Sequence, residues 1–193
     1  MSNNRITGFL EHKEFKAVDF RQEPLAGEYV DCVFQHCNFQ ETDLSGIGFD
    51  GCRFEGCDLS LAKVRDTAFR VIEFKNCKIL GVRFEYCNTF GLEFSFTDCI
   101  LHFSSFFQLK IPKTRFIRCQ LTETDFAGAD LLGAVFDECD LSGATFENTN
   151  LEKADFRTAV NYLIHPDSNR IRKAKFSLTG LPGLLMGYGI EME

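Results

Sequence analysis

"TDFAGADLLGAVFDECDLSGATFENTNLEKADF", residues 124–156, carries a large apolar residue at every fifth position: Phe126, Leu131, Phe136, Leu141, Phe146, Leu151 and Phe156. Phe and Leu alternate. Two places before each stands a small residue: Thr124, Ala129, Ala134, Cys139, Ala144, Thr149 and Ala154. A helix repeats about every 3.6 residues and a strand every second one, so neither accounts for this spacing. In extended chain, residues two apart point to the same face. The small and the large residue of each unit can therefore both point inward, and the next unit can repeat this only after a turn. Gly128, Gly133 and Gly143 suit such turns. The chain turns a corner in every unit and coils on itself.

The register runs far beyond this stretch. One block places large apolar residues at Phe34, Phe39, Leu44, Phe49, Phe54, Leu59, Val64, Phe69, Phe74, Ile79 and Phe84. A second runs from Leu101, Phe106, Ile111, Phe116 and Leu121 to Phe156. Phe15, Phe20 and Leu25 mark an earlier, less regular start. An even number of sides stacks like on like, and two sides leave no room for rings, so four is the natural number. Cysteines agree with the resulting 20-residue coil: Cys37, Cys57 and Cys77 are so spaced, as are Cys32 and Cys52, and Cys99, Cys119 and Cys139. All nine, Cys87 included, take the small inward position.

This pattern resembles the pentapeptide-repeat family, whose unit reads roughly A(D/N)LXX. "ADFRT", "ADLLG" and "CDLSG" match it, and the resemblance covers roughly residues 30–160. It implies an all-β fold, a right-handed, four-sided parallel β-helix with coils about 4.8 Å apart. Roughly eight coils would make a rod about 35–40 Å long at that spacing. Such a solenoid is held by neighbour contacts and needs caps. The expected organisation is a β-helix over 1–176, regular at 30–160 and irregular at 161–176, followed by a C-terminal module at 177–193.

Two places break the register. Thr89 stands where a large apolar residue belongs, and the pattern resumes two places out of phase at Phe96 or Leu101. About two extra residues must bulge outward within Tyr86–Phe96, with Asn88, Thr89, Phe90, Gly91, Leu92 and Glu93 as the projecting segment. A tolerated insertion and a contact feature are both open readings. At the other end, Phe176 lies 20 residues after Phe156, and Ala174 and Ile171 are further inward candidates. Thr179 is positioned to cap a short helix from Leu181 and Pro182, which Gly187 and Gly189 would end. Ile190 and Met192 alternate with Glu, as in a short strand. Leu178, Leu181, Leu184, Leu185, Met186, Tyr188 and Ile190 are too apolar for an exposed tail. The reading favoured is a cap that also pairs two subunits into a homodimer.

Charge is segregated. Residues 22–60 hold eight acids and one base, 61–83 six bases and two acids, and 119–160 nine acids and two bases. Lys110, Lys113, Arg115 and Arg118 form a further basic run. The last acidic segment amounts to about two coils, or about 10 Å of rod. Duplex DNA carries about six charges over that length, a density comparable with the segment's −7. Asp125, Asp130, Asp140 and Asp155 hold the Asp/Asn position of the unit, where carboxylates can simply accept bonds from turn amides. Glu123, Asp137, Glu138, Glu147 and Glu152 are off that position and outward by the register.

The chain of 193 residues has a net charge of −7, no Trp and 22 Phe. That charge disfavours nonspecific binding to nucleic acid or to an anionic membrane, and allows a partner with a basic surface. No apolar run reaches transmembrane length and the start lacks signal-peptide features, so the cytoplasm is the expected location. The odd cysteine count argues against a full disulfide framework. No CxxC or paired-His spacing accompanies the cysteine ladders, so buried thiols are expected rather than metal ligands. His12, His36, His102 and His165 are scattered. Neither GxxxxGK[ST] nor GxGxxG occurs. The expectation is a binding protein with no cofactor and no enzyme activity.

Residues Ser168–Glu193, "SNRIRKAKFSLTGLPGLLMGYGIEME", are similar to the tail of one subgroup of that family, which includes Qnr-type quinolone resistance proteins and microcin- and albicidin-immunity proteins. The resemblance implies a dimer formed through the C-terminal module and an acidic rod that binds DNA gyrase, and often topoisomerase IV, in place of DNA. It implies protection of that enzyme from drugs or toxins. Qnr proteins of the best-known kind bear two outward loops, whereas this chain has only the irregularity at 86–96. The competing reading is a scaffold that presents its faces to an unrelated partner.

Overall fold

The computed structural model describes residues 5–23 and 25–190. The first strands are β1 (Arg5–Glu11), β2 (Glu14–Lys16), β3 (Leu25–Val30), β4 (Val33–Gln35), β5 (Gly48–Asp50) and β6 (Arg53–Glu55). They are followed by β7 (Ala68–Arg70), β8 (Ile72–Lys75), β9 (Phe94–Thr97), β10 (Arg115–Ile117) and β11 (Val135–Asp137). All pairings are parallel, in two sheets ordered β1-β3-β5-β7 and β11-β10-β9-β8-β6-β4-β2. The chain is an all-β parallel solenoid. Single-residue bridges such as Asp125↔Thr145 and Asp130↔Asn150 continue the ladders on the sides that are mostly turn.

Phe34 pairs with Phe54, and Phe54 with Phe74, each one coil of 20 residues away. Stacked rings follow this column from Phe15 to Phe176, with centroids 4.7–5.4 Å apart. That is close to the strand spacing of about 4.8 Å, so each ring simply inherits the coil rise. The alternation of Phe and Leu after Leu101 puts rings on two opposite faces. Phe106, Phe126 and Phe146 stack on one of them at 5.2 Å. Phe116 meets Phe126 across the core edge-on, at 5.7 Å and 80°. Stacked and edge-on pairs each add about 0.5–1.5 kcal/mol beyond burial.

Corners come in two kinds. On turn sides the small residue's N–H returns to the preceding large residue, as in Ala129 to the Phe126 carbonyl (3.1 Å) and Ala134 to that of Leu131 (2.9 Å). Gly133 sits between at φ 67°, the left-handed value that a type II turn requires of its third residue. On strand sides the corner has no such return bond, and there the small position is mostly cysteine, with Val18 after β2 and Ile72 after β7 as exceptions. Cys32, Cys37, Cys52, Cys57, Cys77, Cys99, Cys119 and Cys139 each lie two residues past a strand's end. All but the Cys119 thiol, which reaches the Ile117 carbonyl of its own coil, reach main-chain carbonyls of the preceding coil, as Cys57 to Phe34 (3.3 Å) and Cys139 to Phe116 (3.3 Å). Inward hydroxyls do the same, Thr124 to Leu101 and Thr149 to Phe126. A buried polar atom costs stability only when unpaired, and these are paired.

All nine cysteines are free and buried. Burial pushes the Cys52 and Cys87 thiols up to about 12. Hydrogen bonding between neighbouring thiols of the ladder, and then burial, raises those of Cys37, Cys77 and Cys119.

At the C-terminal end, Arg170 and Lys175 bridge back to Asn150 and Asp155, so the coil register persists to Phe176. Between Val160, which still bridges Asp140, and Arg170 the chain departs from it. Tyr162 and Ile164 turn inward and a short 3-10 turn covers Pro166–Ser168. A second 3-10 turn (Leu178–Gly180), helix α1 (Pro182–Leu185) and a third 3-10 turn (Met186–Tyr188) follow. Ser177, whose hydroxyl accepts from the Gly180 amide, caps the 3-10 turn, whereas α1 starts from Leu181 with no side-chain cap, so Thr179 does not cap it. Gly189 ends the module at φ 64°. The expected final strand falls largely on 191–193, outside the described residues.

Candidate functional surfaces

The acidic coils show how each carboxylate is held. Asp125, Asp130, Asp140 and Asp155 accept the main-chain N–H two residues on, at 2.8, 3.2, 3.1 and 3.2 Å. They are turn acceptors first. Hydrogen bonds from Ser142 and Asn161 hold the Asp140 carboxyl below its ordinary range, and those from Arg157 do the same for Asp155. Cations one coil away or beside them answer some acids. Asp155 pairs with Arg157 and Lys175, and Glu152 with Arg170. Asp137 accepts from the Thr158 hydroxyl at 2.8 Å. Glu123, Glu138 and Glu147 are exposed and make no ion pair among the described residues. The nine acids spread over all four sides.

Other ladders alternate in sign along the rod. Arg53 pairs with Glu73, Lys75 with Glu55, and Arg118 with Asp98 through two bonds of 2.6 and 2.8 Å. Each pair joins residues 20 apart in sequence, the same outward position on successive coils. The sequence-level segregation into acidic and basic blocks is thus partly cancelled at contact distance.

The break lies between Asn88, which still bridges Ala68, and Phe94 in β9, which pairs Ile72. The ladder step there is 22 residues, as in Phe74↔Phe96. Asn88, Thr89, Phe90, Gly91 and Glu93 are exposed, with Phe90 at 78%, while Leu92 packs partly on the core. The Asn88 side chain accepts from the Phe90 amide at 2.9 Å. Phe94 occupies what the pattern reserves for a small residue. Its ring touches Phe84, Phe96 and Phe106 at 5.1–5.9 Å and fills the core volume that Thr89 leaves.

In the C-terminal module, Leu184 packs against the core and Leu185 is half-buried. Leu178, Leu181, Met186, Tyr188 and Ile190 are exposed, Leu178 by 87%. Tyr188 donates its hydroxyl to Asp167 at 2.7 Å. The module is tied down by Ile164 N–H to the Gly183 carbonyl (2.9 Å) and by the Tyr162 ring, which lies against Gly180 and Gly183. A Cβ at Gly183 would fall 2.3 Å from the Tyr162 carbonyl oxygen, so the approach needs glycine. Burial raises the Tyr162 phenol pKa.

Two features escaped the sequence reading. His12 sits 3.4 Å from Glu11 and 3.8 Å from Asp31, an exposed cluster assembled by the first coil. The spacing of His12 and Asp31, close to one coil, was the available signal. The second is a set of apolar residues at exposed corners, Leu61, Val71 and Phe103, with left-handed φ of 58°, 52° and 60°. Among the described residues, no helix is long and apolar enough to cross a membrane.

The sequence profile of the pentapeptide repeats matches this chain in eight copies, over residues 30–70 and 115–157. No curated protein sequence matches it. Among solved structures, HetL, a pentapeptide repeat protein involved in heterocyst differentiation regulation from the cyanobacterium Nostoc sp. strain PCC 7120, aligns with a TM-score of 0.65 at 17% identity, over 89% of this chain and 85% of that one. Full-length QnrB1, a plasmid-mediated fluoroquinolone resistance protein, aligns with a TM-score of 0.45 at 21% identity, over 95% of this chain and 100% of that one. The likeness to HetL is one of fold.

Proposed function

The chain belongs to the pentapeptide-repeat family, and from that premise we propose that it is a binding protein that occupies DNA gyrase in place of DNA, with topoisomerase IV as a second target. In this reading the rod at 1–176 is the binding surface. The module at 177–193 pairs two copies tail to tail about a two-fold axis, the commonest closed arrangement. The enzyme would thereby be shielded from quinolones or from toxins that trap it on DNA.

The observation that carries this reading is the C-terminal module. Its sequence is similar to the tail of the gyrase-binding subgroup, and it leaves Leu178, Leu181, Met186, Tyr188 and Ile190 exposed beyond the last coil. Apolar surface of that kind marks a contact. The acidic coils next to it supply the charge, foremost Glu123, Glu138 and Glu147, which no cation answers among the described residues. A dimer would set these coils on both sides of the joint, and Phe90 and its neighbours would project from each rod.

The test is a gyrase supercoiling assay, with and without a fluoroquinolone, on the wild type and on Leu178→Glu/Met186→Glu. Both side chains are exposed, so the variant should fold. Light scattering should report a dimer for the wild type and a monomer for the variant, with inhibition of supercoiling weakened at least tenfold. Binding should fall with added salt, since the attraction is between exposed charges. A wild-type monomer at micromolar concentration would refute the dimer, and no effect on gyrase at any concentration would refute the target.

A further inference from the structure

Halfway along the rod lies a surface of opposite character to the acidic coils. Leu61, Gly81 and Phe103 occupy the same corner on successive coils, Gly81 N–H reaching the His102 carbonyl at 2.9 Å. Leu61 and Phe103 are 55% and 61% exposed. Leucine and phenylalanine are unfavourable in left-handed backbone, by roughly 1–2 kcal/mol each. Neither gains burial in return within the chain. Such an exposed, strained apolar residue points to a contact made elsewhere.

Beside this corner opens a groove of about 560 Å³, bounded by Leu61, Lys63, Arg65, Gly81, Arg83 and Tyr86. Leu61 leans toward the gap that Gly81 leaves, its Cδ2 2.9 Å from where a glycine Cβ would stand. Tyr86 is flanked by two guanidiniums, Arg83 at 4.7 Å and Arg65 at 5.7 Å from the ring centre. Glu85 answers Arg83 at 2.8 Å. Lys63 and Arg65 make no ion pair among the described residues, and Asp43 is the one carboxylate bordering the groove.

The geometry points to a docking site for a peptide segment of another protein, in which a large apolar or aromatic side chain is flanked by carboxylates. The apolar side chain would enter between Leu61 and Tyr86, over Gly81, with Phe103 as an outer wall. The carboxylates would meet Lys63 and Arg65, Arg65 being able to hold one through two parallel bonds. Charge selects this occupant. Of the six bases in 61–83, Arg70, Lys75 and Arg83 are ion-paired, whereas Lys63 and Arg65 at the groove are not, so the groove favours an acidic segment and disfavours a basic surface of the kind the acidic coils would attract. The site therefore serves a second partner and stands whether or not the gyrase reading does.

Selection from a phage-displayed random heptapeptide library tests this, with counter-selection on Leu61→Asn/Arg65→Glu. Asn tolerates left-handed backbone, so that variant should keep or raise its melting temperature, which circular dichroism would confirm. The expected result is enrichment of sequences with Asp or Glu beside Leu, Phe or Tyr on the wild type alone. The best of these, synthesised with a fluorophore, should bind the variant at least tenfold more weakly and lose affinity with salt. No such enrichment, or equal binding to the variant, would overturn the proposal. Preferential binding of a peptide of the chain's own residues 187–193, or of a single-stranded 20-mer DNA, at the same groove would overturn the assignment to another protein.

Discussion

The coils between Cys119 and Phe156 turn many of their corners on Gly128, Gly133 and Gly143, while those between Leu61 and Phe107 turn theirs on residues that include Leu61, Val71 and Phe103. The first region matches the repeat profile, whereas most of the second, from residue 71 onward, does not. Their interiors are nevertheless alike: Phe74, Phe96 and Phe116 stack at 5.1–5.2 Å through the break, as Phe116 and Phe136 do at 5.0 Å beyond it. The difference teaches that inward side chains alone sustain the coil. Outward positions are free, and in the middle of the rod they carry apolar and basic groups at a cost in backbone strain.

The harshest way to break this comparison is to charge the shared core. Phe116→Asp puts a carboxylate among Phe96, Phe106, Phe126 and Phe136. Burying it unpaired is so costly that both regions should lose their folded signal in circular dichroism. A cooperative unfolding transition near the wild-type temperature would show that the rings are not a common core.

Thiol labelling compares the two regions more gently. Cys77 and Cys99 straddle the break, and Cys119 and Cys139 lie in the regular coils. All four should react with an aromatic disulfide reagent at least about a thousandfold more slowly in native protein than in denaturant, because the buried sulfurs are out of the reagent's reach. Mass spectrometry of the labelled peptides would reveal faster reaction of the first pair if the middle opens locally.

Phe94→Ala should cost about 3–5 kcal/mol, as removal of a buried ring usually does. In the regular coils the equivalent position is already alanine, as at Ala134 and Ala154. Urea unfolding measures the loss, and a cost below about 1 kcal/mol would mean that Leu92 refills the space. Corners should respond in opposite senses. Gly133→Ala places a Cβ in left-handed backbone and should lose about 1 kcal/mol, whereas Leu61→Asn should gain up to about 1 kcal/mol.

The smallest effect belongs to the surface ladders. Asp98→Asn removes one partner of Arg118, worth about 0.2–1 kcal/mol for exposed pairs. Arg118 lowers the Asp98 pKa in the folded state. The pair's contribution is therefore full above the unfolded carboxylate value of about 3.9. It disappears as pH falls through the depressed folded value. Wild type and variant should differ in melting temperature at pH 7 and converge near pH 2.

The coil and its 20-residue step, and the inward places of the rings and of all nine cysteines, were legible along the chain. A solenoid's contacts repeat at a fixed sequence interval, so one-dimensional spacing already encodes its neighbours. The bulge at Thr89 was legible for the same reason, as a slip in that interval. What filled it was not, because Phe94 enters the core from a position the repeat keeps small, and only packing volume decides that. The acids show the other limit. Composition reported a block of negative charge, but Arg170 and Lys175 reach Glu152 and Asp155 only once the coils are stacked. The cap, likewise, depends on Tyr162 lying across Gly180 and Gly183, a contact with no period to announce it. Periodic burial is local arithmetic that a sequence carries openly. Charge pairing, corner exposure and end caps depend on distances that exist only after the chain has wound.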